Sequence, residues 1–204
     1  MIFSLITNLE HLDIILASTS PRRFELLDST GLKFKVIPSG FDESKIIIKN
    51  PEEYVKEAAL QKGLEVAKNH PGHLVISADT IVVLDRQILG KPNHEDHAIE
   101  MLKQLSGKKH TVLTAFGLFL LRFDKQVVET VSTDVTMQFL SDELIEAYVN
   151  TGEPLDKAGA YAIQGQGAML IEKINGSYSN VVGFPLAEFF QTLDNFLKGL
   201  KIKH

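Results

Sequence analysis

A chain of 204 residues with 44% hydrophobic and 23% charged residues has the composition of a folded globular protein and can bury a core within one domain. Its formal net charge of -5 argues against a broad nucleic-acid-binding face, which needs clustered Lys and Arg, although a small anionic ligand needs only a local basic pocket. The absence of cysteine excludes disulfides, thiolate metal sites and thiol nucleophiles, and fits a reducing, cytoplasmic setting. Residues 1–7 are apolar but lack a positive leader and a cleavage site, and runs such as 114–121 fall well short of the roughly 20 residues of a membrane-spanning helix. A soluble protein with no membrane segment is expected.

Residues 12–17 (LDIILA) form an apolar run that reads as a buried strand, and Ser18, Thr19, Ser20 and Pro21 lead from it into a helix that reaches about residue 30 and stops at Gly31. Residues 34–38 suggest a second strand. Asn50, Pro51 and Glu53 start a helix on which Val55, Ala59, Lys62 and Val66 follow at helical spacing. Lys62 thus falls in the apolar stripe, where it either snorkels outward or points at something negative. Residues 73–79 (HLVISAD) read as a strand ending in an acid, followed by a hairpin-like excursion with a turn at 85–87. Asn93 is placed as the cap of a helix carrying Ala98, Met101, Leu102 and Leu105. Residues 112–123 and 127–139 flank Asp124 and Lys125 as a two-stranded ribbon. A helix over 141–150, a Gly-rich loop, a strand near 168–174 and a helix over 185–197 complete an α/β pattern with a mixed sheet.

Four places could carry chemistry. At Ser18-Thr19-Ser20-Pro21-Arg22-Arg23 a buried strand meets a helix N-terminus, which gathers free backbone N–H groups, hydroxyls and two guanidinium groups suited to phosphate. A simple Ser cap with two solvated arginines is the alternative. Asp79, followed by Thr80, is an acid at an expected strand end, where ligands of open α/β sheets bind, and it could orient water or a divalent cation. Taken alone it could equally be a turn residue. Gly90-Lys91-Pro92 and Gln164-Gly165-Gln166-Gly167 are weaker signals, matching neither a P-loop nor a dinucleotide fingerprint. His94 and His97 lack a third ligand and are set aside as helix residues, and Phe189 and Phe190 are read as core.

In order, LASTSPRRFELL (16–27), SADTIV (77–82), LGKP (89–92), DKAGAYAIQGQGA (156–168) and INGSYSNVVGFPL (174–186) resemble the motifs of the Maf family of nucleotide pyrophosphatases. The resemblance spans about residues 12–198, with 1–11 as an N-terminal extension and 199–204 as a basic tail. It implies a mixed, twisted sheet with flanking helices and two lobes around a central cleft, similar to the inosine triphosphate pyrophosphatases. It also implies a homodimer that uses Mg or Mn. By the same resemblance Asp79 is the proton acceptor for water attacking the α-phosphorus, and Ser18, Arg22, Arg23, Lys62 and Lys91 bind the triphosphate. Asp79 and Glu43 would hold the metal, with Asp42 able to exchange roles with Glu43. Arg22, Thr80 and Gln164 look like the branch that hydrolyses dTTP and UTP, and a glutamine amide can pair with the donor and acceptor edge of thymine or uracil. Action on 7-methyl-GTP, or a regulatory role in septum formation, are the competing expectations.

Overall fold

The structure is a computed structural model that describes residues 2–200. Met1 and residues 201–204, most of the expected basic tail, lie outside the described residues. A short strand, β1 (Ile14–Leu16), leads into α1 (Pro21–Asp28), and β2 (Lys35–Val36) pairs alongside β1 in parallel. Then come α2 (Pro51–Asn69), the long strand β3 (Leu74–Leu84), and β4 (Gln87–Leu89), which folds back on β3. Asp85 and Arg86 make that turn with φ of 49° and 67°, the positive values a two-residue hairpin requires. After α3 (Glu95–Leu105), β5 (Lys109–Leu120) and β6 (Lys125–Met137) form the ribbon, followed by α4 (Asp142–Val149), β7 (Ile171–Asn175), α5 (Tyr178–Val182) and α6 (Leu186–Leu197).

The sheet order is β2-β1-β3-β5-β6-β7, with β4 on the flank of β3. Only the β1–β2 and β1–β3 pairings are parallel, so the sheet is mixed, as expected. On one edge of β3, β1 covers Leu74, Val75 and Ile76 while β4 covers Val82, Val83 and Leu84. Residues 77–81 have no strand partner on that edge, although β5 pairs with them on the other. The result is a notch in an otherwise continuous sheet.

Alternation along β3 and β5 sorts the core into layers. Leu74, Ile76, Ala78, Phe116, Leu118 and Leu120 pack with Leu27 of α1 and with Phe189 and Leu193 of α6. Farther along, Val82, Leu84 and Val112 pack with α3 and α4. Helix α2 covers the reverse face, with Val66 and Ala67 against Val75 and Phe119, and Val55 and Ala59 against Ile81 and Ala115. Its start is the expected one: the Asn50 side chain accepts from the N–H groups of Glu52 and Glu53, and Pro51 occupies the first turn.

Several expectations need correction. Asp79 is not at a strand end, because β3 continues through it to Leu84 with β5 as partner. The cap of α3 is His94, not Asn93: its Nδ1 accepts from His97 N–H, while His97 Nδ1 accepts from Asn93 N–H. The strand placed near 168–174 begins at Ile171, since residues Gly165–Leu170 curl into 3-10 turns. The N-terminal extension is also part of the core. Phe3, Ile6 and Leu9 are buried, Phe3 lies 6.2 and 5.5 Å from the rings of Phe189 and Phe190, and Asn8 Nδ2 donates to Leu200 O at 3.0 Å.

Gly63 marks the closest approach of α2 to the sheet, because a Cβ there would fall inside the Phe119 ring. Helix propensity alone favours Gly63→Ala by about 1 kcal/mol. Overpacking should reverse that sign and destabilise the fold by about 1–3 kcal/mol, read from the urea midpoint at constant m-value.

Candidate active site

The notch opens into a cavity of about 620 Å³, and Ser18, Arg22, Arg23, Glu43, Lys62, Asp79, Thr80, Lys91 and Gln164 all line it. These residues come from segments far apart in sequence. The sheet register brings them together.

The β1–α1 junction forms one wall. The buried Ser18 Oγ accepts from Ser20 N–H at 3.2 Å and from Arg23 Nη1 at 3.3 Å. Ser20 makes no side-chain capping bond, so the amides that open α1 stay available to an anion. Arg23 reaches across the cleft floor, with Nε donating to Gly183 O at 3.0 Å and Nη2 to Thr80 Oγ1 at 3.0 Å. All these acceptors are uncharged. Burial pulls the Arg23 guanidinium below its usual pKa, Asp79 opposes that, and Arg22 adds to it. An arginine nonetheless stays protonated, so this charge is desolvated with no carboxylate bonded to it, a setting in which an arriving anion gains most. Among the described residues the side chains of Arg22 and Lys91 form no hydrogen bond or ion pair.

Lys62 resolves the choice its position left open. It projects from α2 onto the face of β3 that carries Asp79, donating to Asp79 Oδ1 at 2.8 Å and pairing with Glu43 Oε1 at 2.6 Å. With its side chain only 15% exposed, it points inward rather than snorkelling. Asp79 is itself buried, and its Oδ2 makes no hydrogen bond among the described residues, so it faces the cavity as a free acceptor. Asp42 is committed elsewhere, as the cap of the turn Glu43–Lys45. Its carboxylate accepts from the Ser44 hydroxyl at 2.7 Å and the Ser44 N–H at 3.0 Å, which holds its pKa below the usual value. Glu43 rather than Asp42 therefore faces the cavity.

The far end is apolar, lined by Val82, Ile88, Val112, Tyr161 and Val181, with the exposed Gln164 at its rim. Thr80 sits between the two ends, half-buried, its hydroxyl engaged with Arg23 and with Thr114 Oγ1 at 3.0 Å. Sequence reasoning missed several residues here. Tyr54 lines the cavity, its phenol held above the usual pKa by burial first and then by Glu43 and Asp79. Tyr161 meets the buried His110, OH to Nε2 at 2.6 Å, and burial pulls His110 down to about 4. Tyr54 reads from sequence as an ordinary member of a helix and His110 falls just before the strand expected at 112–123, and nothing in their spacing distinguished them.

A carboxylate and a group of cations meeting at an open notch of a mixed sheet define an α/β protein equipped to hold a phosphate-bearing ligand and to activate water beside it. The sequence matches the model of the Maf-like protein family over residues 13–196, and the chain belongs to that family. It is 45% identical over 185 residues to the dTTP/UTP pyrophosphatase of Clostridioides difficile (strain 630), covering 91% of this chain and 95% of that one. It is 48% identical over 180 residues to the dTTP/UTP pyrophosphatase of Desulfotalea psychrophila (strain LSv54 / DSM 12343), covering 88% of this chain and 92% of that one. The fold is similar to that of the Staphylococcus aureus Ham1 protein, with a TM-score of 0.51 and 13% identity over 93% of this chain and 100% of that one. No helix among the described residues is long and apolar enough to cross a membrane.

His110 makes folding sensitive to acid. Its pKa falls from 6.5 in the unfolded chain to about 4 in the fold, so the unfolded state binds the proton first. Its contribution is complete above pH 6.5 and is lost as pH falls to about 4, a difference on the order of 3 kcal/mol. His110→Gln keeps a polar partner for Tyr161 and should flatten the pH dependence of stability across that window in urea melts. An unaltered slope would show that other groups carry it.

Proposed function

We propose that this chain hydrolyses dTTP and UTP to the nucleoside monophosphate and pyrophosphate. The observation that carries the reading is the pairing of Asp79 with Lys62 at the notch, facing cations that form no ion pair with a carboxylate among the described residues. Relatives covered almost end to end are named for the same reaction.

Lys62 holds one oxygen of Asp79 and so fixes the direction of the other. A water on Oδ2 gives its proton to that oxygen as its own oxygen bonds the α-phosphorus. The bond from the α-phosphorus to the oxygen bridging to the β-phosphate breaks, and pyrophosphate leaves with the electron pair. Arg22, Lys91 and the open amides of α1 receive the charge that gathers on the leaving group, and in a cleft shielded from water such preorganised groups lower the barrier most. Ser18 and Thr80 do not compete for the ligand as charges; they keep Arg23 extended across the floor.

Asp79 and Glu43 offer the hard carboxylate oxygens that Mg or Mn prefers, both within reach of the same ammonium group. Such an ion, when bound, neutralises phosphate oxygens and sharpens the electrophilic phosphorus. At the opposite end the apolar walls admit a base, and Gln164 can present both a donor and an acceptor to the edge of uracil or thymine. Homodimeric assembly and a cytoplasmic setting belong to the same proposal and rest on the family resemblance.

A panel of nucleoside triphosphates with Mg or Mn tests the reading. UTP and dTTP should turn over fastest, releasing pyrophosphate; orthophosphate as first product, or a preference for a purine such as 7-methyl-GTP, would overturn it. Asp79→Asn removes the acceptor but leaves the cations, so kcat should fall by at least about a hundredfold while nucleotide binding persists.

A further inference from the structure

Gln164 makes no hydrogen bond within the described chain, so its aim depends entirely on the backbone that carries it. That backbone turns sharply, with Gly165 at a φ of 66°. It is gripped from behind by one carboxylate. Glu153 stands in the 3-10 turn Glu153–Asp156 that follows α4. Its Oε2 accepts from Gln166 N–H at 3.1 Å, and its Oε1 accepts from Gly167 N–H at 3.0 Å and from the Tyr148 hydroxyl at 2.9 Å. The buried Tyr148 oxygen in turn accepts from Ala162 N–H at 3.2 Å. Both sides of Gln164 are therefore anchored to α4 and the turn after it.

The clamp also accounts for the glycine pattern. A Cβ on Gly165 would lie 2.7 Å from Glu153 Oε2, and one on Gly167 would lie 2.6 Å from the Tyr148 hydroxyl. At Gly165 the positive φ of 66° disfavours a side chain as well, and at Gly167 a Cβ would also run into the Ala162 carbonyl oxygen, so Glu153 and Tyr148 share in excluding side chains here. A carboxylate bonded to successive backbone N–H groups uses charge-assisted bonds, the strong kind, to fix the loop.

We propose that Glu153, acting with Tyr148, is a positioning residue for base selection: it holds the loop that presents Gln164, without touching the nucleotide or the phosphate machinery. The inference rests on the proposed pyrimidine nucleotide pyrophosphatase activity. Glutamine at position 153 keeps the volume but offers one acceptor oxygen instead of two, so at least one loop N–H faces an NH₂ group. Preorganisation of Gln164 is lost while Asp79, Lys62 and the cations are untouched.

The test compares kcat/KM for UTP and CTP in the wild-type protein, Glu153→Gln, Gln164→Ala and the double variant. Glu153→Gln should cut the preference for UTP by about tenfold, mainly through KM, a loss typical of a misplaced hydrogen-bonding group. Gln164→Ala should lose at least as much, and the double variant no more than Gln164→Ala alone, because both act through one side chain. Tyr148→Phe should weaken the preference in the same direction. Hydrogen exchange of the peptide spanning residues 163–170 should quicken in Glu153→Gln. An unchanged UTP preference, losses that multiply in the double variant, or unaltered exchange would each overturn the proposal. A wild-type protein that releases pyrophosphate from neither nucleotide would defeat the activity reading itself, and exchange would still decide whether the clamp exists.

Discussion

Everything in the cleft depends on a mismatch of strand lengths. β1 is three residues long and β3 is eleven, so parallel pairing is exhausted at Ile76 while the antiparallel ladder with β5 continues. β4 then returns along the same edge, but only from Val82 onward. Between these two partners the edge of β3 is open for long enough to admit a ligand and too short to recruit another strand. Asp79 stands in the middle of that opening, held rigid from the other side by its register opposite Ala115. A carboxylate on a loop would gain access to ligand but lose definition. Placed on a central strand beside a missing partner, it has both.

The electrostatics follow from which cations the chain itself neutralises. Lys62 is matched by Glu43 and Asp79, and the buried Lys62–Asp79 pair is the costly one to break, because removing either partner strands a desolvated charge. Arg22, Arg23 and Lys91 have no carboxylate partner among the described residues, so the positive potential they create stays directed into the cavity. The chain as a whole is acidic, with a net charge of -5, which confines this positive field to the cleft.

Much of this was legible in sequence, for identifiable reasons. Periodicity gave α2 and its cap, because a capping Asn, a Pro and a buried stripe are all local signals. It put Lys62 in the stripe and could go no further, since the carboxylates it meets belong to Asp79, 17 residues on, and to a turn before the helix. The end of the strand was misplaced at Asp79 because an acid inside an apolar run resembles a boundary, and only pairing with β5 shows that the strand passes through. The N-terminal residues looked like an appendage because their partners, Phe189 and Phe190, are nearly a chain length away. Tyr148 and Glu153 gave no signal at all. A tyrosine and a glutamate at the end of a helix are unremarkable until the glycines they exclude side chains from are brought beside them.

The polar seam between the two apolar layers bears on how the phosphate and base ends communicate. Thr114 donates its one hydroxyl proton to Asn180 O at 3.1 Å, so toward Thr80 at 3.0 Å it can only accept. Thr80 therefore commits its own proton to Thr114 Oγ1 or to Gly183 O at 3.4 Å, and its lone pairs face Arg23 Nη2. Asn180 is fully buried and fixes the far end of this chain of bonds, its Nδ2 donating to Val112 O and Thr133 Oγ1. With either acceptor, Thr80 has no proton to offer a bound base and its oxygen is already occupied by a guanidinium. Any effect of Thr80 on a ligand must then travel through Arg23, whereas Gln164, which also lines the cavity, makes no hydrogen bond among the described residues. Two separately held elements, a guanidinium fixed by a buried hydroxyl chain and a loop fixed by a carboxylate clamp, thus line one cavity.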